Sequence, residues 1–179
     1  KSARFMATAL REGGENVSYS REFVFSKSTG HPAVLNTKPN DSYTFEGASL
    51  LVDGYHSRPV FTSGAWLGYL DEPLDVTIDM GGEQSYRSVE LETLAEKGDW
   101  IFPPSSVTGW VSDNGTDFTE VASVSVPEAK AGDADGIGRY RMQFPETSAR
   151  YLKVVAQNAA AIPAWHPGAG SKGFLFVDE

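Results

Sequence analysis

Val107-Thr108-Gly109-Trp110-Val111-Ser112-Asp113-Asn114-Gly115-Thr116-Asp117-Phe118-Thr119-Glu120-Val121-Ala122-Ser123-Val124-Ser125-Val126 is the stretch that decides the fold. Two runs rich in β-branched residues flank Asn114-Gly115, and Asn-Gly between such runs is the strongest short-range hairpin signal. Comparable runs lie on both sides. Leu74, Val76, Ile78 and Met80 alternate with Asp75, Thr77 and Asp79 and stop at Gly81-Gly82, so a strand is expected there. Ser88 to Leu94, Tyr140 to Phe144, Tyr151 to Ala156 and Phe174 to Val177 read as further strands. No stretch keeps a helical period for three turns, although Ser49 to Val52 reads as a helical turn. About eight short strands separated by long aromatic-bearing loops predict an all-β chain, a β-sandwich of jelly-roll type.

The N-terminus has a different character. Arg4 to Leu10 and Val17 to Phe25 alternate around Glu12-Gly13-Gly14-Glu15-Asn16, which predicts a β-hairpin. A lone hairpin is marginal in water, so residues 1–27 are read as the last strands of a preceding small β-sandwich module. Ser26-Lys27-Ser28-Thr29-Gly30 is read as a flexible linker into a second unit, 28–179. The chain begins at Lys1 and ends within a strand-like run, as expected of a piece of a longer protein.

Composition narrows the function. The 179 residues suffice for one domain with a real core, but not for an (α/β)₈ barrel of ~250 residues. Eighteen glycines and ten prolines suit a turn-rich β chain. Asp and Glu number 24 against 15 Lys and Arg, a net charge of -9. Such a chain repels phosphate backbones and anionic lipid, so neither nucleic acid nor membrane insertion is expected. With no cysteine, disulfides, thiolate zinc sites and cysteine nucleophiles are excluded. The three histidines, His31, His56 and His166, form no HExxH pair, and no G-x-S-x-G elbow occurs. Glycoside hydrolysis needs two converging carboxylates, and Asp71-Glu72 and Asp178-Glu179 are neighbours that a strand points to opposite faces. No catalytic residue is therefore assigned.

Four further motifs carry a family resemblance: Leu51-Val52-Asp53-Gly54, Trp66-Leu67-Gly68-Tyr69, Leu74 to Gly81, and the Val107 to Phe118 strand and turn. With Ala149-Arg150-Tyr151-Leu152-Lys153-Val154, their order over Pro32 to Glu179 resembles the discoidin, or coagulation factor five/eight type C, family and its carbohydrate-binding relatives. Trp165-His166-Pro167-Gly168-Ala169-Gly170 before Phe174 to Glu179 is similar to a subgroup at the C-terminus of bacterial β-N-acetylhexosaminidases and related glycoside hydrolases. The resemblance implies a galactose-binding-like jelly roll with a sugar site in its loops, often a structural calcium, and a periplasmic or extracellular parent enzyme. It further implies a glycan and the catalytic domain of the same chain as partners, in a monomer.

For sugar recognition, an exposed aromatic ring takes the apolar face of a pyranose, and a few fixed polar groups take its hydroxyl rim. Gly98-Asp99-Trp100-Ile101-Phe102-Pro103-Pro104 supplies Asp99, Trp100 and Phe102, and Ile162-Pro163-Ala164-Trp165-His166-Pro167-Gly168 supplies Trp165 and His166. Tyr55-His56-Ser57-Arg58 adds His56 and Arg58, and the sandwich that the resemblance implies puts these loops at one end. The alternative is that both tryptophans are plugs packed on the sandwich, with His166 bonded to backbone. Trp66 and Trp110, inside strand-like runs, are assigned to the core.

Calcium prefers six to eight oxygens at a tight turn. Asp53-Gly54 supplies a carboxylate and a bend, and the resemblance places Glu179 on the final strand as the second carboxylate. Tyr55-His56 stands where many relatives carry an oxygen-bearing side chain, and a plain turn at Asp53-Gly54 is the alternative. Asp133-Ala134-Asp135-Gly136 reads as a solvated turn before a cation loop. Asn16-Val17-Ser18 and Asn114-Gly115-Thr116 fit glycosylation sequons and are read as turn chemistry.

Overall fold

The computed structural model describes residues 2–10, 13–14 and 17–179. Its strands are β1 (Ser2–Ala9), β2 (Val17–Val24), β3 (Ala33–Leu35), β4 (Leu67–Tyr69), β5 (Leu74–Ala95), β6 (Ser106–Ser112), β7 (Thr119–Ser125), β8 (Gly136–Gln157) and β9 (Leu175–Asp178). One hydrogen-bonded ladder runs β4-β9-β5-β8-β6-β7, with β3 added on β5. It becomes a sandwich because β5 and β8 each serve both layers. Residues 74–79 of β5 pair with 151–156 of β8 and carry β3, while β6 and β7 extend that layer. Residues 88–95 pair with 136–143 and with β9, which in turn carries β4.

The fold over lies where the pairing slips, between Asp79 and Gln84 and again between Tyr86 and Ser88. Gly81 takes φ +72 there, and Asp79 Oδ1 accepts its N–H at 2.9 Å. The expected stop at Gly81-Gly82 is thus a bend within one strand. A bulge lets the strand turn without surrendering its ladder, and glycine tolerates the positive φ. Pro145 falls in the matching break of β8, where no ladder donor is required.

Leu74, Val76, Ile78 and Met80 face inward, as their alternation requires, and meet Val89, Leu91, Val107, Met142, Leu152 and Val154. A second cluster, Trp66, Leu94, Ile101 and Phe176, covers the outer side of the β5–β9 layer beneath Tyr43, Phe61 and Phe174. Trp66 is fully buried, as assigned, whereas Trp110 on β6 is only half-buried. Residues 47–52 form a 3-10 turn over the expected Ser49 to Val52. The Asn114-Gly115 turn joins β6 to β7 with Gly115 at φ +75, and Asn114 Oδ1 accepts the N–H groups of Thr116 and Asp117. Of the other sequon, Asn16 lies outside the described residues, as do Glu12 and Glu15 of the first hairpin turn.

The predicted hairpin is present, with Ala3 opposite Phe23, Phe5 opposite Arg21 and Ala7 opposite Tyr19. Those residues share one face, apolar except for Arg21. It meets the sandwich where Phe23 packs on Tyr55 and Arg21 lies 4.4 Å from the Tyr55 ring centre. The linker is not the free tether expected of Ser26 to Gly30. Val24 N–H donates to Gly54 O, Gly30 N–H to Val52 O, and the Lys27 ammonium to Ser85 O. Asp133 and Asp135 have structural tasks: Asp133 accepts the Lys130 N–H, and Asp135 accepts the Lys97 N–H while pairing with its ammonium.

Candidate functional site

The β5–β6 connection turns tightly over residues 96–102. A 3-10 turn at Lys97–Asp99 puts Trp100 in the left-handed region, φ 65 and ψ 24. The approaching end of β9 holds it there: Phe174 N–H donates to Trp100 O at 2.8 Å, and Phe102 N–H to Phe174 O at 2.9 Å. The β8–β9 loop is bonded to itself, Ile162 N–H to Ser171 O at 2.8 Å and Gly170 N–H to Ile162 O at 2.9 Å. Local bonding thus fixes both loops, independently of any ligand.

His166 joins them. Its ring centre lies 5.9 Å from that of Trp100, 5.6 Å from Trp165 and 5.4 Å from Phe102, all near-perpendicular. Gly168 N–H donates to Nδ1 at 3.0 Å, so Nδ1 carries no proton and Nε2–H donates to Lys97 O at 2.9 Å. Gly168 also lies under the Trp100 indole, where an added Cβ would meet Cη2 at 2.7 Å. Trp165 Nε1–H donates to Ala129 O at 2.9 Å. The indoles keep 42% (Trp100) and 39% (Trp165) exposure, each with part of its ring in solvent.

Trp100 and Trp165 are both packed against His166 and both part-exposed. Phe102, 1% exposed, lies beneath the surface in a cluster with Ile162 and Ala129, and His166 is buried too. Both support the indoles rather than face solvent. Asp99 is exposed beside Trp100. Burial, then Asp99 and Asp135, push the Glu96 carboxyl upward. On the far side of Phe102, a cleft of about 370 Å³ is lined by Pro104, Pro127, Ala129, Ala160 and Pro163.

His56 and Arg58 do not join this group. Ser57 N–H donates to Asp178 Oδ2 at 2.8 Å, and His56 Nδ1 lies 3.0 Å from Glu92 Oε1. Those contacts sit at the C-terminal end of β9, whereas Trp100 is bonded at its N-terminal end. At ~3.3 Å per strand residue, the two ends are about 13 Å apart. The exposed Arg58 follows Ser57 on that distant loop.

The other end of β9 does gather the two expected calcium carboxylates. Asp53 Oδ1 accepts Tyr55 N–H at 2.6 Å, and Glu179 Oε1 accepts Gly54 N–H. Burial raises the Asp53 carboxyl, and burial first, with acidic neighbours adding to it, lifts Asp178 and Glu179 to about 7. Asp178 Oδ1 and Glu92 Oε2 are buried without hydrogen-bond partners among the described residues. No three His, Asp or Glu side chains among those residues form a metal site on their own. A hard cation here would need backbone carbonyl oxygens of the 53–58 loop beside Asp53 and Glu179. With mutually repelling carboxylates and an orphaned buried oxygen, the residues fit such an ion.

No protein-family model and no curated protein matches the chain. Solved structures do match in fold. The chitosan-binding module 2 of a Paenibacillus sp. IK-5 chitosanase/glucanase, in complex with chitotriose, is 16% identical at a TM-score of 0.52, covering 84% of this chain and 95% of that one. Module 1 of the same protein is 17% identical at 0.51, covering 86% and 97%. A Clostridium perfringens CBM32 module in complex with GalNAc-β-1,3-galactose is 16% identical at 0.49, covering 83% and 94%. The jelly-roll β-sandwich expected from the sequence is the fold of this chain.

Proposed function

We propose that this chain is a non-catalytic carbohydrate-binding module. The observation that carries the reading is the pair of half-exposed indoles, Trp100 and Trp165, fixed at one rim around His166. Prepositioned rings suit a pyranose, because little side-chain freedom is lost when the sugar docks. Asp99 adds an acceptor for a hydroxyl or amino group beside Trp100. Chitotriose in a module of the same fold supports a hexosamine glycan, and galactose- or N-acetylhexosamine-type glycans are the proposed class. The parent is proposed to be a secreted bacterial glycoside hydrolase such as a β-N-acetylhexosaminidase. The module, as a monomer, would hold its catalytic domain near substrate. Binding near millimolar, about −4 kcal/mol, is sufficient there, because tethering raises effective concentration.

Calorimetric titration with galactose, N-acetylgalactosamine, N-acetylglucosamine and chitotriose tests the reading. Saturable binding of at least one, weakened several-fold by Trp165→Ala, is expected. No response to any of them would favour the second reading, a module that braces a catalytic domain without a ligand. That alternative draws on the apolar hairpin face, where Phe5, Val17 and Tyr19 are more than half exposed.

Calcium at Asp53 and Glu179 is proposed as a structural ion tying the first loop to the last strand. Saturation at a hundredfold excess over Kd stabilises by about 2.7 kcal/mol, roughly 5–11 °C in Tm for a chain of this size. In chelator, the sign of the pH dependence follows from the raised carboxyls of Asp178 and Glu179. Their contribution is complete below the unfolded carboxylate range near ~4 and is lost as pH rises through about 7. The chelated protein should therefore melt higher at pH 5 than at pH 8, and calcium should narrow that gap by stabilising the ionised form. Melting curves identical with calcium and chelator at pH 8 would remove the ion from the account.

A further inference from the structure

We infer that His166 is the positioning residue that holds the Trp100 and Trp165 indoles as one platform, through two hydrogen bonds and two ring contacts. The consequence for glycan affinity rests on the function proposed above; the consequence for the indoles does not.

The bonding of the ring makes the neutral form part of the structure. Nδ1 must accept from Gly168 N–H while Nε2–H donates to Lys97 O, and only the neutral tautomer protonated at Nε2 does both. A side chain with no acceptor at that point leaves the Gly168 N–H unpaired in a buried site. Relief requires Gly168 to move. Gly168 packs directly under the Trp100 indole, and its carbonyl accepts the Ser171 N–H at 3.1 Å, so a shift there displaces the platform and its loop together. Trp165 adjoins His166 in sequence and rests its ring on the imidazole edge-to-face. Lys97 links the other side: its carbonyl holds Nε2, and its N–H and ammonium are held by Asp135. One imidazole thus spans the β5–β6 and β8–β9 loops, each of which carries one indole.

Other charged groups stand on the segments packed around it. Glu96 and Asp99 lie on the Trp100 loop, Asp135 faces Lys97, and Lys130 follows the Ala129 carbonyl that holds Trp165.

The four indole N–H signals of the full chain, followed by two-dimensional NMR and assigned with single Trp→Phe variants, report on the platform. In His166→Phe, which keeps a ring but loses both hydrogen bonds, the Trp100 and Trp165 signals should be displaced while Trp66 and Trp110 hold. Affinity for the best-bound sugar of the titration panel should fall at least fivefold. His166→Gln, whose amide can accept from Gly168 and donate to Lys97 O, should recover part of both. Should His166→Phe fail to fold, His166→Ser, too small to strain the site, takes its place. The inference is overturned if Trp100 and Trp165 in the folded disrupting variant match the parent protein, or if His166→Gln recovers neither signal. If no sugar binds, the glycan reading fails by itself, and the indole signals still decide the role of His166.

Discussion

Trp100→Ala should reduce glycan affinity at least tenfold while the chain stays folded. Tenfold is about 1.4 kcal/mol, and an aromatic contact contributes about 0.5–1.5 kcal/mol beyond the area that it covers. From a millimolar start, that loss moves binding close to the limit of calorimetric detection. The stability cost is smaller than for a core residue, because Trp100 as a residue is already 42% exposed. Just over half of a full burial contribution, about 1–2 kcal/mol, is at stake. Trp100→Phe should recover part of the affinity by restoring a flat apolar face. Titration of both variants beside their melting curves checks the result. Unchanged affinity in Trp100→Ala would remove this ring from the site and leave it a loop plug.

Phe102→Ala should have the largest effect on stability, lowering it by about 3–5 kcal/mol, the usual cost of emptying a buried aromatic position. For a chain of this size that is roughly 6–20 °C in Tm. The side chain is 1% exposed, and its ring edge lies where a Cβ on Gly173 would come within 2.8 Å. Phe102 also packs under Trp165, with ring centres 6.3 Å apart, so weaker glycan binding should accompany the lower melting point. Thermal and urea melts measure the first effect and titration the second. A variant that loses affinity at an unchanged melting point would make Phe102 a direct ligand contact, contrary to its burial.

These two outcomes separate residues that adjoin in sequence and look alike there. Trp100 and Phe102 share one aromatic-bearing loop, and composition gives no means of choosing which faces water. The choice comes from backbone bonding. Phe174 bonds to the carbonyl of Trp100 and the N–H of Phe102. The left-handed turn leaves Trp100 part-exposed, while Ile101 and Phe102 after it are both buried. His166 poses the same difficulty. A histidine between Trp165 and Pro167 reads as a ligand contact, yet its partners, Lys97 O and Gly168 N–H, include one 69 residues away.

The strands were more legible, because alternation is a local record of which side is buried. Leu74, Val76, Ile78 and Met80 all face the core as their spacing requires. What alternation does not record is that β5 and β8 each continue through a bend to serve both layers. Glycine and proline mark an interruption of regular pairing, and the same marks serve a chain end and a bulge.

Strand alternation, turn residues and motif order determined, without coordinates, that the chain is an all-β jelly roll with aromatic-bearing loops. Tertiary structure alone decided how those pieces are shared between sites. Trp100 and Trp165 meet at one end of β9, while His56, Asp53 and Glu179 gather at the other. The physical reason is that side-chain pattern encodes burial residue by residue. Which loops become neighbours depends instead on strand pairing across the whole chain, and β9 enters that ladder only in the last residues of the sequence.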